Sequence, residues 1–423
     1  MKYTTLRIVA ALLIALPICF SACVKDDCKQ KYTYTYYIPV YITRAEARDN
    51  IKSNAPRVLE NPGKIYIRDQ YIFLNEVDRG IHIIDNSNPS SPRNVAFINI
   101  PGNRDIAVKG NILYGDMYAD LLAIDISNPL QVKLKNHLDD VFPSGGYVPG
   151  GAAINGGRIV SDWIQKDTTI TGSCERRLFD FRNFYGGAAW FSASSSSALS
   201  SVSPIGMGGS MARFSLVNDR MYSVSSSTLD VFNVTTPETP VKGARINLGW
   251  NIETIYPFGN KLFIGSQSGM FIYDISNPDA PQATGQFSHA RSCDPVIADN
   301  DYAYVTLRSG TTCQGFNNQL DVIKLNNLVN PSLVKTYQLT NPHGLSKDGD
   351  LLFICDGKSG VKVYNAANKE DLKLLRNIDS FDAYDVIAFN KIALIIGKDG
   401  LYQYNYTNPS NIKMLSKIQV EKK

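Results

Sequence analysis

The chain has 423 residues, of which 44% are hydrophobic and 19% are charged, and its formal net charge is +4. This weak positive charge argues against a nucleic-acid-binding protein, which needs a strongly basic face. After residue 20, no stretch is apolar over the roughly 20 residues that a membrane-spanning helix needs.

The first 22 residues have the pattern of a cleaved export signal. Lys2 and Arg7 precede or border a 13-residue apolar run, Ile8–Phe20, which Pro17 interrupts. The run is too short to span a bilayer, and a basic start followed by a short apolar stretch is typical of a secretory signal. We therefore expect residues 1–22 to be removed during export.

The end of this signal, "FSAC" (Phe20–Cys23), resembles the lipobox of bacterial lipoproteins, in which a bulky apolar residue and two small ones precede a cysteine. The resemblance implies that Cys23 is acylated and becomes the first residue of the mature chain. Several acyl chains, at about 0.8 kcal/mol for each buried CH₂, form a stable anchor in outer-membrane lipid. The alternative is a secreted protein in which Cys23 carries no lipid.

A charged cluster, "VKDD", follows directly over Val24–Asp27. It resembles the signal that directs some Gram-negative lipoproteins to the cell surface, so we expect the protein to face the cell exterior. The alternative is an ordinary solvated linker, which would also be charged.

Residues 23–56 are predicted to form the anchor tether and a short strand–helix collar rather than a separate domain. Tyrosines alternate over residues 32–36, as on one face of a strand. Thr43 and Glu46 have the spacing of a capping box, which predicts a short helix over Arg44–Ile51.

From residue 57 to residue 423, one turn motif recurs. "YDISNPDAP" (Tyr273–Pro281) has near copies at Ile83–Pro89, Ile124–Pro129 and Tyr406–Pro409. Short runs of alternating Ile, Val and Tyr precede the copies, with the two-residue period of β-strands. The turn residues block continuation of a strand, because Pro fixes φ and Asp binds nearby backbone N–H groups.

The spacing of the motif predicts the architecture. Asp85 and Asp125 are 40 residues apart, as are Asn365 and Asn405. A repeat of about 40 to 45 residues with four short strands is the period of a propeller blade. Blades bury their faces by packing radially into a ring. We therefore predict an all-β propeller of four-stranded blades, in which the motif joins the third and fourth strands.

These units resemble the LVIVD-repeat β-propeller family of bacterial surface lipoproteins. The best match is "GMFIYDISNPDAP" (Gly269–Pro281), and the resemblance extends over nearly all of Pro62–Val420. It implies a propeller fold but no particular reaction, and we predict neither a cofactor nor a bound metal.

The number of blades depends on one long interval. Asp125 and Asn233 are 108 residues apart, which leaves room for a further, interrupted unit. Gly150–Gln165 has the pattern of a first hairpin, and a Ser-rich insertion over about residues 168–209 lacks the turn motif. Eight blades are therefore expected, and seven follow if this unit is only a decorated loop.

In a propeller, first strands line the central channel and their starting residues ring one mouth. Here those positions are rich in ionisable groups, and convergent polar groups at a concave mouth are the default ligand-site hypothesis. Carboxylates with a histidine could bind sugar hydroxyls or a divalent cation, whereas the alternative is a hydrated channel in which Arg104 pairs with Asp105. The candidate ligand-binding residues are Arg104, Asp105, Arg213, Glu253, Asp294, His343, Tyr384 and Asp385.

Four of these residues, Glu253, Asp294, His343 and Asp385, are expected to share one cavity, partly roofed by the insertion. Repulsion among the carboxylates would raise at least one pKa and shift His343 toward its charged form. Aromatic residues of the insertion would form a platform for sugars or a partner protein, or alternatively a lid with its own core.

Cysteines and motifs give less information. Without Cys19 and Cys23, five cysteines remain, so at least one has no partner within the chain. Cys293 and Cys313 both fall on the mouth face, and export permits a disulfide between them. The chain contains no GxSxG, HExxH, Walker or GxGxxG motif.

The sequence therefore favours a surface-anchored binding or scaffold lipoprotein that presents a propeller face to a protein or glycan partner. The alternative is an exported hydrolase that uses carboxylates at the propeller mouth.

Overall fold

The computed structural model describes residues 29–142, 158–173, 207–289, 295–310 and 317–421. The chain forms two compact units. The smaller comprises Met1–Pro39 and Trp163–Trp190, and the larger comprises Val40–Asp162 and Phe191–Lys423.

The elements outside the repeated sheets are few. They are β1 (Lys29–Thr43), α1 (Arg44–Asp49), β2 (Ser53–Asn54), β11 (Arg158–Ser173) and β12 (Met207–Gly208). Strands β1 and β11 form a two-stranded sheet. In its exposed part, the Thr35 hydroxyl donates to Asp167 Oδ1 at 2.6 Å.

The other strands form seven antiparallel sheets, which are the blades of a propeller. In chain order the blades are β3 (Pro62–Arg68), β4 (Tyr71–Glu76), β5 (Gly80–Asp85) and β6 (Arg93–Asn99); β7 (Ile106–Lys109), β8 (Ile112–Met117), β9 (Asp120–Asp125) and β10 (Lys133–Leu138); β13 (Phe214–Val217), β14 (Arg220–Val224), β15 (Thr228–Asn233) and β16 (Val241–Asn247); β17 (Ile252–Phe258), β18 (Lys261–Ser266), β19 (Gly269–Asp274) and β20 (Gln282–Ser288); β21 (Val296–Ala298), β22 (Tyr302–Leu307), β23 (Gln319–Lys324) and β24 (Ser332–Gln338); β25 (Leu345–Asp348), β26 (Leu351–Cys355), β27 (Val361–Asn365) and β28 (Lys373–Ile378); and β29 (Ala383–Phe389), β30 (Ile392–Gly397), β31 (Gly400–Asn405) and β32 (Lys413–Gln419).

The expectation of eight blades is wrong, because the structure has seven. The interval between blades 2 and 3 forms no four-stranded sheet in its described part. Strand β11, predicted to lie in the first hairpin of an extra blade, pairs with β1 instead. This interval lacks the closing turn, and without a third and fourth strand it cannot present the two apolar faces that a blade buries.

The ring closes between blades 7 and 1. Leu59, just before blade 1, forms a parallel bridge with Val420 at the end of blade 7. Isoleucines and leucines of both blades share one buried cluster, which includes Ile65, Ile72 and Ile396. The side-chain amides of Asn86 and Gln403 exchange hydrogen bonds at 2.6 and 3.1 Å across the same junction.

The recurrent motif joins the third and fourth strands, as predicted. In blade 4, Asp274 Oδ1 accepts from the Ser276 N–H at 2.7 Å, and Asn277 Oδ1 accepts from the Asp279 N–H at 3.2 Å. Lys261 and Ser276 hold the pKa of Asp274 at about 2. Asn accepts the same bond as Asp, since Asn405 Oδ1 accepts from the Thr407 N–H, which explains why the two residues alternate in the repeats.

The predicted capping box is confirmed, and the helix predicted over Arg44–Ile51 extends over Arg44–Asp49. Helix α1 begins after Thr43, whose hydroxyl oxygen accepts from the Glu46 N–H while the Glu46 carboxylate accepts from the Thr43 N–H. Arg48 pairs with the buried Asp120 of blade 2 at 2.8 Å. Within the part of the chain that the structure describes, no helix has the length and apolar character needed to cross a membrane.

A short piece of chain, residues 207–213, lies against the innermost strands. We name it the central segment. Strand β12 pairs with β3 of blade 1, and Ser210 Oγ accepts from the Leu345 N–H of blade 6 at 2.8 Å. The Ala212 carbonyl accepts from the Ile255 N–H of blade 4 at 2.8 Å. Because one segment contacts blades on opposite sides of the ring, it must occupy the channel.

Candidate functional site

The mouth of the propeller is the end where first strands begin and second strands end. Blade 7 shows this arrangement, since Ala383 at the start of β29 pairs with Gly397 at the end of β30. Side chains alternate along each first strand, so neighbouring residues lie in different surroundings. The candidate residues divide accordingly between the channel and the mouth.

Asp105 lies in the channel. Its Oδ2 accepts from Lys64 Nζ at 2.6 Å and from the Arg213 N–H at 2.7 Å, and both side chains of the Lys64–Asp105 pair are buried. Burial lowers the pKa of Lys64, while Asp105 opposes that shift. Asp105 therefore joins blades 1 and 2 to the central segment and is not an open ligand.

Asp385 also lies in the channel, so the expectation that it shares a mouth cavity with the other acids is wrong. It is 2% exposed, and neither carboxylate oxygen has a hydrogen-bond partner. Gly209 of the central segment and Gly344 of blade 6 pack directly against it. Burial, with only weak compensation from Val386 and Lys64, raises the pKa of Asp385 to about 7. The cause is desolvation and not repulsion among carboxylates.

Arg104 lies at the mouth but does not pair with Asp105. Its Nε donates to Asp78 Oδ1 at 2.7 Å and its Nη2 to Asp78 Oδ2 at 3.2 Å. The backbone N–H groups of Arg104 and Asp105 both donate to Asp116 Oδ1 at 2.8 Å. Burial nevertheless raises the pKa of Asp116 to about 6. These contacts fix the start of the first strand in blade 2.

Three other candidates, Glu253, His343 and Tyr384, interact electrostatically with Arg308, which the sequence analysis did not identify. Arg308 follows β22 of blade 5, and Glu253 of blade 4 and Tyr384 of blade 7 both act to raise its pKa. The stronger effect of burial nonetheless lowers the pKa of Arg308. His343 of blade 6 lies close enough to be influenced by the same guanidinium. Four consecutive blades therefore contribute one polar group each to this part of the mouth, which we name the arginine cluster.

His343 is neutral, contrary to the expected shift toward its charged form. Burial and Arg308 lower the pKa of His343 to about 3. Its Nε2 lies 3.2 Å from Asn341 Nδ2 in a hydrogen bond, and its buried Nδ1 has no hydrogen-bond partner among the described residues. The imidazole and the Tyr384 ring are 5.3 Å apart between centroids.

Arg213 ends the central segment. Its backbone is bonded to Asp105, while its Nε is buried without a hydrogen-bond partner. Its charge contributes to the lowered pKa of Lys64.

An exposed indole lies in the loop that precedes the first strand of blade 4. Trp250, in the loop between blades 3 and 4, is 84% exposed, the highest value for any large hydrophobic side chain in the described ranges. The Asn251 carbonyl accepts from the Gln267 N–H, and Gln267 Nε2 donates to Glu253 Oε1, both at 3.0 Å. Trp250 and Glu253 thus belong to one hydrogen-bonded corner of blade 4.

Features of the sequence could have identified Arg308 and Trp250, which the sequence analysis did not name. Second strands end at the mouth where first strands begin, so an alignment of second-strand ends would have identified Arg308. Trp250 lies three residues before Glu253, and the preceding Gly249 has φ +109°, a conformation that favours glycine.

Several predicted residues lie outside the described ranges. They are Cys23, Asp294, Cys293 and Cys313, so the lipidation, the eighth mouth residue and the possible disulfide stay predictions. Cys355 is free and buried, and burial raises the pKa of its thiol. The described residues contain no group of three or more His, Cys, Asp or Glu side chains placed to hold a metal ion.

Comparison with known families agrees with the repeats. The chain contains LVIVD repeats at residues 63–98, 102–140 and 255–288, which are blades 1, 2 and 4. This finding is consistent with an LVIVD-repeat β-propeller family, as the turn motif predicted. No curated protein sequence matches the chain.

Several solved structures resemble this chain at low sequence identity. A Lactobacillus plantarum protein is 10% identical, with a TM-score of 0.52 over 85% of this chain and 97% of its own. Saccharomyces cerevisiae Sqt1 is 10% identical, with a TM-score of 0.49 over 86% of this chain and 87% of its own. Moraxella catarrhalis BamB is 8% identical, with a TM-score of 0.47 over 87% of this chain and 97% of its own. The Lactobacillus plantarum protein shares the architecture of this chain, and an identity of 10% establishes no shared function.

Proposed function

We propose that this protein is a binding or scaffold propeller that presents its mouth face to a protein or glycan partner. The observation that carries the proposal is the arginine cluster, in which Glu253, Arg308, His343 and Tyr384 come from four consecutive blades. Channel residues such as Asp105 and Lys64 bond to each other and to the central segment. At the mouth, Nδ1 of His343 has no hydrogen-bond partner among the described residues.

The exposed Trp250 is a second observation that favours the mouth face as the binding surface. Aromatic side chains are enriched where proteins bind partners, because they offer a large apolar surface at low entropic cost. An indole that is 84% exposed gains little from burial in the free protein. Its surface is therefore available to a ligand.

The test is a glycan microarray and a panel of outer-membrane proteins, probed with the wild-type chain and with Trp250→Ala. We expect the substitution to weaken binding at least tenfold. Phe389→Ala is the matched control. Phe389 is 39% exposed and ends β29, so it lies on the face of the propeller opposite the mouth. Equal binding by both variants would show that the mouth is not the binding face.

We propose further that the propeller is anchored to the outer membrane through acylated Cys23 and faces the cell exterior. The lipobox resemblance and the charged residues after it support this location. Cys23→Ala should release the protein from the membrane fraction or stall its processing. Protease added to intact cells should digest the propeller, and replacement of Lys25, Asp26 and Asp27 by Ala should protect it. A wild-type protein that resists protease would contradict surface exposure.

A further inference from the structure

We propose that one face of the two-stranded sheet formed by β1 and β11 lies against the lipid surface, so that the chain contacts the membrane through this sheet as well as through acylated Cys23. The part of the sheet over residues 29–39 and 163–173 belongs to the smaller compact unit, and we name it the ribbon. The inference rests on the proposed anchoring and adds to it the protein surface that meets the lipid.

Hydrogen bonds between the two strands give the register of the ribbon. Thr33 Oγ1 and Thr169 Oγ1 are 2.9 Å apart in a hydrogen bond, and the Thr35 hydroxyl donates to Asp167 Oδ1 at 2.6 Å. The paired residue numbers rise along β1 and fall along β11, so the strands are antiparallel. Because side chains alternate along a strand, these four polar side chains share one face, and the even-numbered residues of both strands form the other.

The even-numbered face of the ribbon is apolar and exposed. The register places Ile38 across from Ile164, and Tyr34 and Tyr36 lie on the same face of β1. Ile164 is 49% exposed, Tyr34 is 40% exposed and Tyr36 is 37% exposed. A sheet of only two strands is marginally stable in water, and burial of this apolar surface against a partner would stabilise it.

The chemistry of this face matches the membrane–water interface. Tyr is enriched at that depth, because its ring is apolar while its hydroxyl stays hydrated. The exposed Lys166 lies across from Tyr36, where its stem can cover apolar surface while its ammonium reaches an anionic headgroup. Asp167, the next residue, lies on the other face with Thr35. Lysine is depleted in protein–protein interfaces, so this combination favours lipid over a protein partner.

The position of the ribbon in the chain also favours lipid. Strand β1 begins at Lys29, six positions after Cys23. Six residues span at most about 22 Å, so the ribbon begins within that distance of the acyl chains. A short tether raises the effective concentration of the tethered surface to roughly the millimolar range, so that even a face of modest affinity stays bound.

The experiment is quenching of tryptophan fluorescence in the purified full chain by vesicles of brominated phosphatidylcholine and phosphatidylglycerol. Ile164→Trp places an indole on the apolar face, and Gln165→Trp places one on the opposite face, one residue away on the same strand. After subtraction of the wild-type emission, brominated lipid should reduce the Ile164→Trp emission roughly threefold or more, because an interfacial face enters the boundary of the acyl chains. The Gln165→Trp emission should be nearly unchanged.

A second pair of variants tests which face attaches the ribbon to lipid. In the Ile164→Trp protein, Tyr36→Ser removes apolar surface from the proposed face and should reduce the quenching about twofold or more. Tyr37→Ser is the matched control, since Tyr37 is 48% exposed and lies on the opposite face of the same strand. Equal effects of the two substitutions would contradict the assignment of the face.

The outcomes separate this inference from the proposed anchoring. Equal quenching of the two indoles, or none at millimolar lipid, would overturn the lipid-facing ribbon. So would shielding of the Ile164→Trp indole without vesicles together with a doubled mass in light scattering, since a second copy of the chain would then cover the face. Mass spectrometry of Cys23 tests the anchor itself. A chain without acyl groups whose Ile164→Trp indole is quenched as vesicles are added would contradict the anchoring and support the ribbon.

Discussion

The channel and the mouth are built from neighbouring residues of the same strands, yet they differ in whether the central segment contacts their polar groups. In blade 7, Tyr384 faces the arginine cluster while Asp385, the next residue, is buried beside the central segment. In blade 2, Arg104 is partly exposed while Asp105 is bonded to buried Lys64.

The difference shows what the central segment does. By filling the channel it supplies bonds to Asp105 and Leu345 and removes water from Asp385. A polar residue near the axis is therefore structural if this segment reaches it, and is available to a ligand only above it. Substitutions in the two regions should separate stability from binding.

The largest effect is expected at Asp105. Asp105→Asn would leave the buried Lys64 ammonium without its counter-ion, which typically costs roughly 3–5 kcal/mol of unfolding free energy. Asp78→Asn at the mouth removes an exposed partner of Arg104 and should cost less than about 1 kcal/mol. Urea denaturation measures both, and equal losses would contradict the distinction between channel and mouth.

The second effect is a pH dependence that comes from Asp385. Its pKa is about 7 in the folded protein and about 4 in an unfolded chain. The folded state therefore holds the proton more tightly, so this group lowers stability as pH rises from about 4 through 7, by roughly 4 kcal/mol at pH 8. The wild type should lose that amount relative to Asp385→Asn between pH 4 and pH 8.

Measuring the difference between these two proteins is necessary because His343 acts in the opposite direction. Its pKa of about 3 lies below the unfolded value, so its contribution is lost as pH falls below about 6.5. A constant difference between wild type and Asp385→Asn over this range would show that Asp385 is not buried by the central segment.

A smaller loss is expected when the central segment is crowded. A Cβ at Gly209 would collide with the Asp385 carboxylate, so Gly209→Ala should cost about 1–3 kcal/mol. Gly310 has open space around a built Cβ, and Gly310→Ala should be close to neutral. Thermal unfolding compares them, and an unchanged midpoint for Gly209→Ala would place the segment outside the channel.

The smallest effect on stability is expected at Arg308. Because burial lowers the pKa of Arg308, its desolvated charge opposes folding, so Arg308→Gln should leave the unfolding free energy unchanged or slightly raised. A loss of 2 kcal/mol or more would mean that Arg308 is a structural residue.

Much of the fold could be predicted from local chemistry. The spacing of Asp85 and Asp125 gives the length of a blade, and strand period gives the two faces. The capping box at Thr43 gives α1, since it depends only on residues within one helical turn. The candidate site was harder to predict than the fold. Glu253, His343 and Tyr384 were predicted as mouth residues, but Arg308 and Trp250 were not.

The four-stranded blade, its turn motif and the closure into a ring could be predicted from the sequence. The blade and its turn depend on contacts between neighbouring strands, and their repetition implies a ring. The tertiary structure alone decided the number of blades and the division between channel and mouth. Strand β11 pairs with β1 more than 100 residues away, and residues 207–213 contact five other blades at once. No local pattern encodes contacts of that range, and they determine whether a polar side chain is fully buried, as Asp385 is, or only half-buried, as its neighbour Tyr384 is.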